Sequence, residues 1–342
     1  MEKISIIGLD LAKSAFQVHG IAINGEPLVR RTLRRSQVLD FFRRLTPCIV
    51  GMEACGSAHH WAREIAALGH EVRLMPPAYL KAYVKRNKTD AADAEAICEA
   101  ATRPTMRFVP IKSIDQQSAG MVLKVRELLV RQRSQAANAL RGRMAELGIV
   151  GAMGMASISK LIGVLRSDGD NIPTVARIAL SEIAAQIEAL TDRIDKLERY
   201  VVAAVKADGE ARRLTSIPGV GPIIAATVKA VVQDPTGFRS DRDFAAWLGL
   251  TPKSNSSGGK ERLGRISKRG NKQLRTLLIV GATSIVKQAR RGLAVPQWIV
   301  ALLSRRPYKV VAVALADKIA RTIWALLVKG GIYRTPIIMA KA

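Results

Sequence analysis

Short apolar runs separated by polar turns dominate the first third of the chain. Runs of this kind predict strands, whereas apolar positions at spacings of three and four predict helices. Five strands are predicted, over residues 3–9, 15–23, 27–33, 48–52 and 71–74. Helices are predicted over residues 36–45, with Ser36 as the cap, over 58–68, and again after the Pro-Pro pair at 76–77.

The order is three strands, helix, strand, helix, strand, helix, which is the order of a ribonuclease-H-like α/β fold. In such a fold the first and fourth strands lie side by side. Asp10 follows the first apolar run and Glu53 follows the fourth. Because open α/β sheets bind ligands at the carboxyl ends of their strands, we expect these two side chains to meet at a functional crevice.

Two further acids stand three residues apart where a helix is predicted to start, in the segment 88–94. Asp90 and Asp93 therefore project from one helix face. Compensation of the helix dipole is a sufficient explanation for this pair alone. With Asp10 and Glu53 the pair makes a set of four carboxylates. Carboxylate oxygens suit Mg²⁺ or Mn²⁺, and such ions stabilise the attacking and leaving oxygens of phosphodiester transfer.

The middle of the chain, from about residue 115 to 206, has a helical pattern. A heptad seam runs through its second half, formed by Ile183, Ile187, Leu190, Ile194, Leu197 and Val201. Such a seam predicts packing against another helix. The partner is either a helix of the same chain, with residues 118–147 as the candidate, or a helix of a second subunit.

A third region begins near Ala211. A glycine turn at 217–222 precedes an apolar helix at 223–232, which predicts an element like a helix–hairpin–helix. In such a turn, Gly219 and Gly221 let backbone N–H groups approach a phosphate, although an ordinary glycine turn is the alternative. A loop rich in Ser and Gly follows at 254–259. The predicted nucleic-acid contacts after it are Lys260, Arg262, Arg265, Lys268, Arg269, Lys272 and Arg275.

The formal net charge is +26, and residues 211–342 hold 24 Lys and Arg against 5 Asp and Glu. Such a surface attracts polyanions, most plausibly nucleic acid. An anionic membrane is the competing partner, but no amphipathic helix concentrates the charge. The apolar stretch 310–328 is interrupted by Asp317, Lys318 and Arg321, so no membrane span is expected.

The three cysteines, Cys48, Cys55 and Cys98, have no paired spacing that would indicate disulfides or a zinc site. We therefore expect a soluble protein of the reducing cytoplasm.

Together these segments resemble the DEDD-type serine transposases of bacterial insertion sequences, the IS-one-ten group, which includes the site-specific DNA invertase Piv. The matching residues run in family order over nearly the whole chain. They are Gly-Leu-Asp-Leu-Ala-Lys at 8–13, Met-Glu-Ala-Cys-Gly at 52–56, Lys-Thr-Asp-Ala-Ala-Asp-Ala at 88–94, Ile-Pro-Gly-Val-Gly-Pro at 217–222, and Ser-Gly-Gly at 257–259 continuing to Ile-Ser-Lys-Arg-Gly at 266–270.

The resemblance implies a RuvC-like domain over residues 1–112, a helical coiled-coil segment over 113–208 and a mainly α transposase domain over 209–342. It implies that Asp10, Glu53, Asp90 and Asp93 hold Mg²⁺, with Mn²⁺ as the alternative ion. It also implies that a serine attacks DNA to form a covalent phosphoserine link. The family pattern places that serine directly before a glycine, which selects Ser257, with Ser256 beside it as the alternative.

The resemblance further implies guidance by a bridge RNA that pairs with donor and target DNA. It implies a homo-oligomer, a dimer or tetramer, in which the RuvC-like domain of one subunit meets the serine domain of another. It also implies a location in the bacterial cytoplasm, at the nucleoid. The expected function is thus excision and insertion of the element itself. Two alternatives stay open: a RuvC-like nuclease or Holliday junction resolvase that uses water, and a non-catalytic nucleic-acid-binding protein.

Overall fold

The structure, a computed structural model, describes residues 3–84, 89–167, 172–256, 259–260, 262–293 and 295–334. The chain forms two compact units, Met1–Ser113 and Ile114–Ala342. The first is α/β and the second is mainly helical, in agreement with the predicted fold class. The boundary predicted between residues 208 and 209 lies inside the second unit. Among the described residues, no helix combines the length and the apolar character needed to cross a bilayer.

A five-stranded mixed sheet forms the centre of the first unit. Its strands are β1 (Ile6–Leu11), β2 (Ala15–Ile21), β3 (Pro27–Arg34), β4 (Ile49–Glu53) and β5 (Glu71–Met75). They lie in the order β3-β2-β1-β4-β5. The pairs β1–β2 and β2–β3 are antiparallel, whereas β1–β4 and β4–β5 are parallel. The predicted adjacency of the first and fourth strands is confirmed, and the arrangement is consistent with a ribonuclease-H-like fold.

Strand alternation sorts side chains onto two faces of this sheet. The helices of the unit are α1 (Val38–Arg43), α2 (Ala58–Ala67), α3 (Pro77–Leu80) and α4 (Asp90–Ala101). Leu9 and Met52 lie in the core that α1 and α2 cover. The intervening strand residues, including Gly8 and Gly51, face α4 instead. Apolar residues fill the face toward α1 and α2, whereas α4 meets glycines and acids together with a smaller apolar cluster that includes Ile6 and Met75.

The predicted bounds of the first strand are wrong at both ends. The strand begins at Ile6, and it continues to Leu11 because Asp10 pairs with Gln17 and Leu11 pairs with Phe16 of β2. Asp10 is therefore held within the ladder and does not follow it.

The predicted cap at Ser36 is also wrong, since Arg35–Gln37 forms a 3₁₀ turn. The Gln37 side-chain oxygen accepts the backbone N–H of Arg34 at 2.9 Å, and α1 begins only at Val38. The local side-chain hydrogen bond displaces the helix start.

The second unit contains nine described helices and one hairpin. They are α5 (Ile114–Glu146), α6 (Met155–Arg166), α7 (Thr174–Ala207), α8 (Gly209–Leu214), α9 (Pro222–Val231), α10 (Asp241–Trp247), β6 (Pro252–Ser254), β7 (Leu263–Ile266), α11 (Lys272–Arg290), α12 (Gln297–Leu303) and α13 (Tyr308–Lys329). The two strands form an antiparallel pair. The helices α8 to α13 share one hydrophobic core.

The heptad seam of α7 packs against α5 of the same chain. Ile187, Leu190 and Ile194 are buried. The two helices run antiparallel, with Arg126 Nε 2.8 Å from Glu198 Oε1 and Arg133 of α5 reaching Thr191 of α7. Packing within the chain therefore accounts for the seam, and its use as a subunit contact stays a prediction.

Candidate catalytic site

The parallel pairing of β1 and β4 positions the first two acids. Leu9 lies opposite Met52 in the ladder. Asp10 and Glu53 each follow by one residue, so they occupy neighbouring positions on the sheet. Side chains alternate between faces, which directs both acids to the face that α4 covers, opposite the apolar core.

The next two acids lie in the first turn of α4. Thr89 is the N-cap, and its hydroxyl accepts the backbone N–H of Ala92 at 3.2 Å. Such a cap fixes the helix start, so that Asp90 is the first helical residue and Asp93 lies on the same side. The predicted helix start is confirmed. The predicted segment also included Lys88, which lies outside the described residues.

Two glycines let α4 lie close enough for its acids to reach the sheet. A Cβ atom at Gly8 would stand 2.1 Å from the Ala94 carbonyl oxygen, and one at Gly51 would stand 2.8 Å from the Ala101 Cβ. Both distances are too short for a side chain. The sequence analysis did not identify this role, although glycine inside a strand is a recognised sign of close backbone approach.

Three of the four predicted ligands converge. One carboxylate oxygen from each of Asp10, Asp90 and Asp93 lies within 4.8 Å of the others. Glu53 is not part of this group of three, although its charge acts on Asp10. The site therefore combines a strand residue with the first turn of a helix more than seventy residues later in the chain.

Ser254 and Ser256 of the serine-rich segment lie toward the tip of the β6–β7 hairpin. The Ser256 hydroxyl lies 2.8 Å from the Ser254 hydroxyl and accepts the Arg262 N–H at 3.4 Å. The backbone N–H of Asn255 donates to the Arg262 carbonyl at 2.8 Å, which closes the loop. Ser257 and Gly258, on which the predicted nucleophile depends, lie outside the described residues.

The base of this hairpin is tightly packed. The Ser267 N–H donates to the Thr251 carbonyl at 2.9 Å. Gly249 and Gly270 both have positive φ, and a Cβ at Gly270 would lie 1.8 Å from the Trp247 carbonyl oxygen. The two chain segments cross here with no room for side chains, so the serine loop stands on a rigid support.

Known protein families match both the region of the acid cluster and the region of the serine hairpin. A family model described as "Transposase IS116/IS110/IS902 family" matches residues 211–294, and a DEDD-type IS110 transposase model matches residues 7–148. A probable family 20 transposase of Pseudomonas aeruginosa is 49% identical over 334 residues, which is 97% of this chain and 99% of the relative. The chain belongs to the IS110/IS116/IS902 family of transposases.

Two further transposases are similar to this chain over most of their length. A putative transposase of Sinorhizobium fredii is 47% identical over 98% of this chain and 87% of its own. The transposase for insertion sequence element IS1111A of Coxiella burnetii is 38% identical over 98% of this chain and 92% of its own. The full-length matches establish a transposase that acts on DNA. The acid cluster lies within the region that the DEDD-type model covers.

The acid cluster of this transposase is electrostatically unfavourable without a cation. The pKa of Asp10 is raised to about 6, first by burial and then by the charges of Asp93, Asp90 and Glu53. Repulsion of this kind is relieved when a positive ion binds between the carboxylates. Three hard oxygen donors at this spacing suit a divalent cation, and a DEDD-type family suggests the use of one.

The raised pKa of Asp10 predicts a pH-dependent loss of stability in the metal-free protein. A group whose pKa is higher in the folded state stabilises that state at low pH, and this contribution is lost as pH rises from about 4 to about 6. The loss is about 1–2 kcal/mol, after allowance for solvent around the half-buried carboxyl. Asp10→Asn should therefore increase the free energy of unfolding at pH 7.5 but not at pH 4.

Urea denaturation of both proteins in EDTA at the two pH values measures this difference. Asp40, an exposed acid of α1, provides the control, because Asp40→Asn removes the same charge away from the cluster. An equal effect of Asp10→Asn at both pH values would contradict the prediction.

The structure separates the predicted nucleic-acid contacts into two groups. Six of them are exposed on or beside the hairpin: Lys260, Arg262, Arg265, Lys268, Arg269 and Lys272. Arg275 is instead buried, and its Nη1 donates to the carbonyls of Leu248 and Arg269 at 2.8 Å each. It ties the hairpin base to α11, and this structural role accounts for Arg275 without a contact to nucleic acid, which stays a prediction.

The two glycines of the turn between α8 and α9 also differ in their surroundings. Gly219 has a φ of 85°, and a Cβ there would lie 3.0 Å from the Gly281 carbonyl oxygen of α11. This glycine is thus explained by packing within the protein. Gly221, the N-cap of α9, is exposed with open space around its Cα. Only Gly221 keeps its predicted role in approaching a phosphate.

These two glycines form a matched pair for mutation. Gly219→Ala should lower the free energy of unfolding by about 1–3 kcal/mol, because a left-handed φ and a close carbonyl both disfavour Cβ. Gly221 has a φ of −87° and open space where a Cβ would lie, so Gly221→Ala should change the free energy of unfolding by less than about 1 kcal/mol. Chemical denaturation of the two variants tests this, and equal destabilisation would count against the packing role of Gly219.

Proposed function

We propose that this transposase excises and inserts its element by Mg²⁺-dependent strand cleavage and exchange, with Ser257 as the nucleophile. The convergence of Asp10, Asp90 and Asp93 is the observation that carries the proposal. Glu53, on the neighbouring strand, would complete the set of ligands. Mg²⁺ held by these acids would supply Lewis-acid stabilisation of charge on the phosphate oxygens.

The serine would make the reaction reversible. Its Oγ forms a bond to phosphorus while one P–O bond of the DNA strand breaks, which leaves a free hydroxyl on the departing strand. The phosphodiester energy is kept in the protein–DNA link, so a new strand hydroxyl can attack it and restore DNA. Hydrolysis by water would discard that energy, which suits a nuclease and not strand exchange.

Exposed cations around the hairpin tip support contact with DNA. Arg262 and Arg265 lie in or beside β7, and Lys260 lies in the loop itself. Arginine can bind a phosphate with two parallel hydrogen bonds, which would orient the scissile group. Neutralised phosphates also release counterions, which favours binding.

A structured guide RNA and a homo-oligomer complete the proposal. A net charge of +26 can serve two polyanions. An apolar stripe on α5 is available for a second subunit: Met121, Val125 and Leu128 are 55%, 46% and 44% exposed at spacings of four and three. Because α7 uses its own seam within the chain, this stripe is the better candidate for subunit contact.

A recombination assay with purified protein tests the function. The substrates are a plasmid carrying the element with its own flanking DNA, a target plasmid, and RNA transcribed from the flank. We expect joined products with Mg²⁺ and RNA, and none with EDTA. Cleaved but unjoined DNA would favour the water-using nuclease, and binding without any cleavage would favour a non-catalytic protein.

A further inference from the structure

Cations continue well beyond the serine hairpin without any acid to balance them. No Asp or Glu occurs between Glu261 and Asp317. Six exposed cations of this stretch lie outside the hairpin, and we call them the α11–α13 patch: Lys287, Arg290, Arg291, Arg305, Arg306 and Lys309. Among the described residues none of the six forms an ion pair, whereas Arg321 farther along α13 is paired with Asp241.

The patch is one surface made from two helix ends. Arg290 in the last turn of α11 places its guanidinium carbon 5.8 Å from the centre of the Tyr308 ring, at the start of α13. This cation–π contact brings the two cation groups together. Lys287, Arg290 and Arg291 follow a spacing of three and four, so they share one side of α11.

Helix dipoles do not explain all of the patch. Cations near the C-terminus of α11 are favoured by its dipole. Arg305 and Arg306 lie between the C-terminus of α12, whose dipole favours them, and the N-terminus of α13, whose dipole does not. Lys309 lies in the first turn of α13, where the dipole disfavours positive charge and no acid is present. Its position disfavours the free protein, and a bound anion would reverse that effect.

We infer that the α11–α13 patch binds the phosphate backbone of duplex DNA as a second contact, separate from the serine hairpin. Lys272 and Arg290 mark the two ends of α11, which spans about 28 Å at 1.5 Å per residue. That length corresponds to about eight base pairs of duplex. One duplex can therefore contact both ends of the helix. A contact to phosphate oxygens carries no direct sequence information, so this contact is independent of sequence.

Salt-dependent binding to a 40-base-pair duplex of random sequence tests the patch. The variant carries Arg305→Gln, Arg306→Gln and Lys309→Gln in the full-length protein. We expect the slope of log Kd against log salt concentration to fall by about 2 to 3, with at least about tenfold weaker binding at 50 mM salt. The unfolding temperature should stay nearly the same, because the three replaced side chains are exposed.

The matched control removes three exposed cations of α7, with Lys196→Gln, Arg199→Gln and Lys206→Gln. It changes the net charge equally, and its slope should stay near that of the wild type. Equal slopes for patch and control variants overturn the inference. So does a loss of affinity for a structured RNA hairpin without any loss for duplex DNA.

If the triple variant unfolds at lower temperature, Arg306→Gln and Arg306→Lys decide the question. The first should lower the slope by about 0.9 and the second should keep it, while equal slopes would again overturn the patch. The measurement uses binding and not cleavage. Failure of the serine mechanism would therefore leave this result unchanged.

Discussion

The Asp10→Asn variant is expected to lose DNA strand cleavage by about a thousandfold or more while it keeps its affinity for DNA. Asp10 is the one member of the converging group that the sheet supplies, and its oxygen lies within 4.8 Å of those of Asp90 and Asp93. An amide oxygen is uncharged and a weaker ligand of a hard divalent ion than a carboxylate, and the ion would supply several kcal/mol of stabilisation. Gel analysis of labelled DNA and fluorescence anisotropy measure the two quantities.

Asp40→Asn provides the control for charge, since Asp40 is exposed on α1, which packs on the other face of the sheet. It should cleave like the wild type. Glu53→Gln should instead raise the Mg²⁺ concentration needed for half-maximal cleavage, because three carboxylates remain. If Asp10→Asn cleaves normally in Mg²⁺, the acid cluster is not the catalytic centre.

The Ser257→Ala variant is expected to form no covalent protein–DNA adduct, whereas Ser256→Ala should form it within about tenfold of the wild type. The Ser256 hydroxyl already contacts Ser254 and the Arg262 N–H, so its loss removes only two exposed hydrogen bonds. The Ser257 hydroxyl would be the attacking group. Adducts that survive denaturing detergent on a gel measure the outcome.

The two serine variants also separate the alternatives. Cleavage that persists in Ser257→Ala without any adduct indicates attack by water. An adduct lost in Ser256→Ala and kept in Ser257→Ala would transfer the nucleophile to Ser256. Adducts in both variants would remove the serine hairpin from the chemistry.

The same electrostatics connect stability with activity in this transposase. The acids at Asp10 and Asp93 repel one another in the metal-free protein, as the raised pKa of Asp10 indicates. They stay together because Gly8 and Gly51 allow α4 to pack against the sheet. The proposed ligands are thus held in place by packing that opposes their own repulsion.

Much of the first unit could be predicted because its signals are local. Apolar runs identified all five strands, and the order of elements predicted the contact of β1 with β4. Asp90 and Asp93 marked the start of α4, while its cap at Thr89 was seen only in the structure. The bounds were less accurate, since the end of β1 depends on pairing with β2 and not on β1 itself.

The cations and glycines of the second unit show the opposite case. Arg275 belongs to the same basic run as Arg269. Of the two guanidinium groups, only that of Arg275 is buried, where it donates hydrogen bonds to two backbone carbonyls. Gly219 and Gly221 lie two residues apart, but Gly219 alone meets α11. Nothing in the local sequence separates the members of either pair, because the difference lies in which segment packs against each one.

The amino-acid sequence by itself determined the chemistry that is available: four acids placed near strand ends and a helix start, a serine before glycines, and an excess of positive charge. Only the tertiary structure decided which acids meet and which cations reach solvent. Periodicity and capping depend on neighbours along the chain, so they can be seen in the sequence. Convergence depends on strand register and on helix packing over Gly8 and Gly51, which are set by contacts distant in sequence.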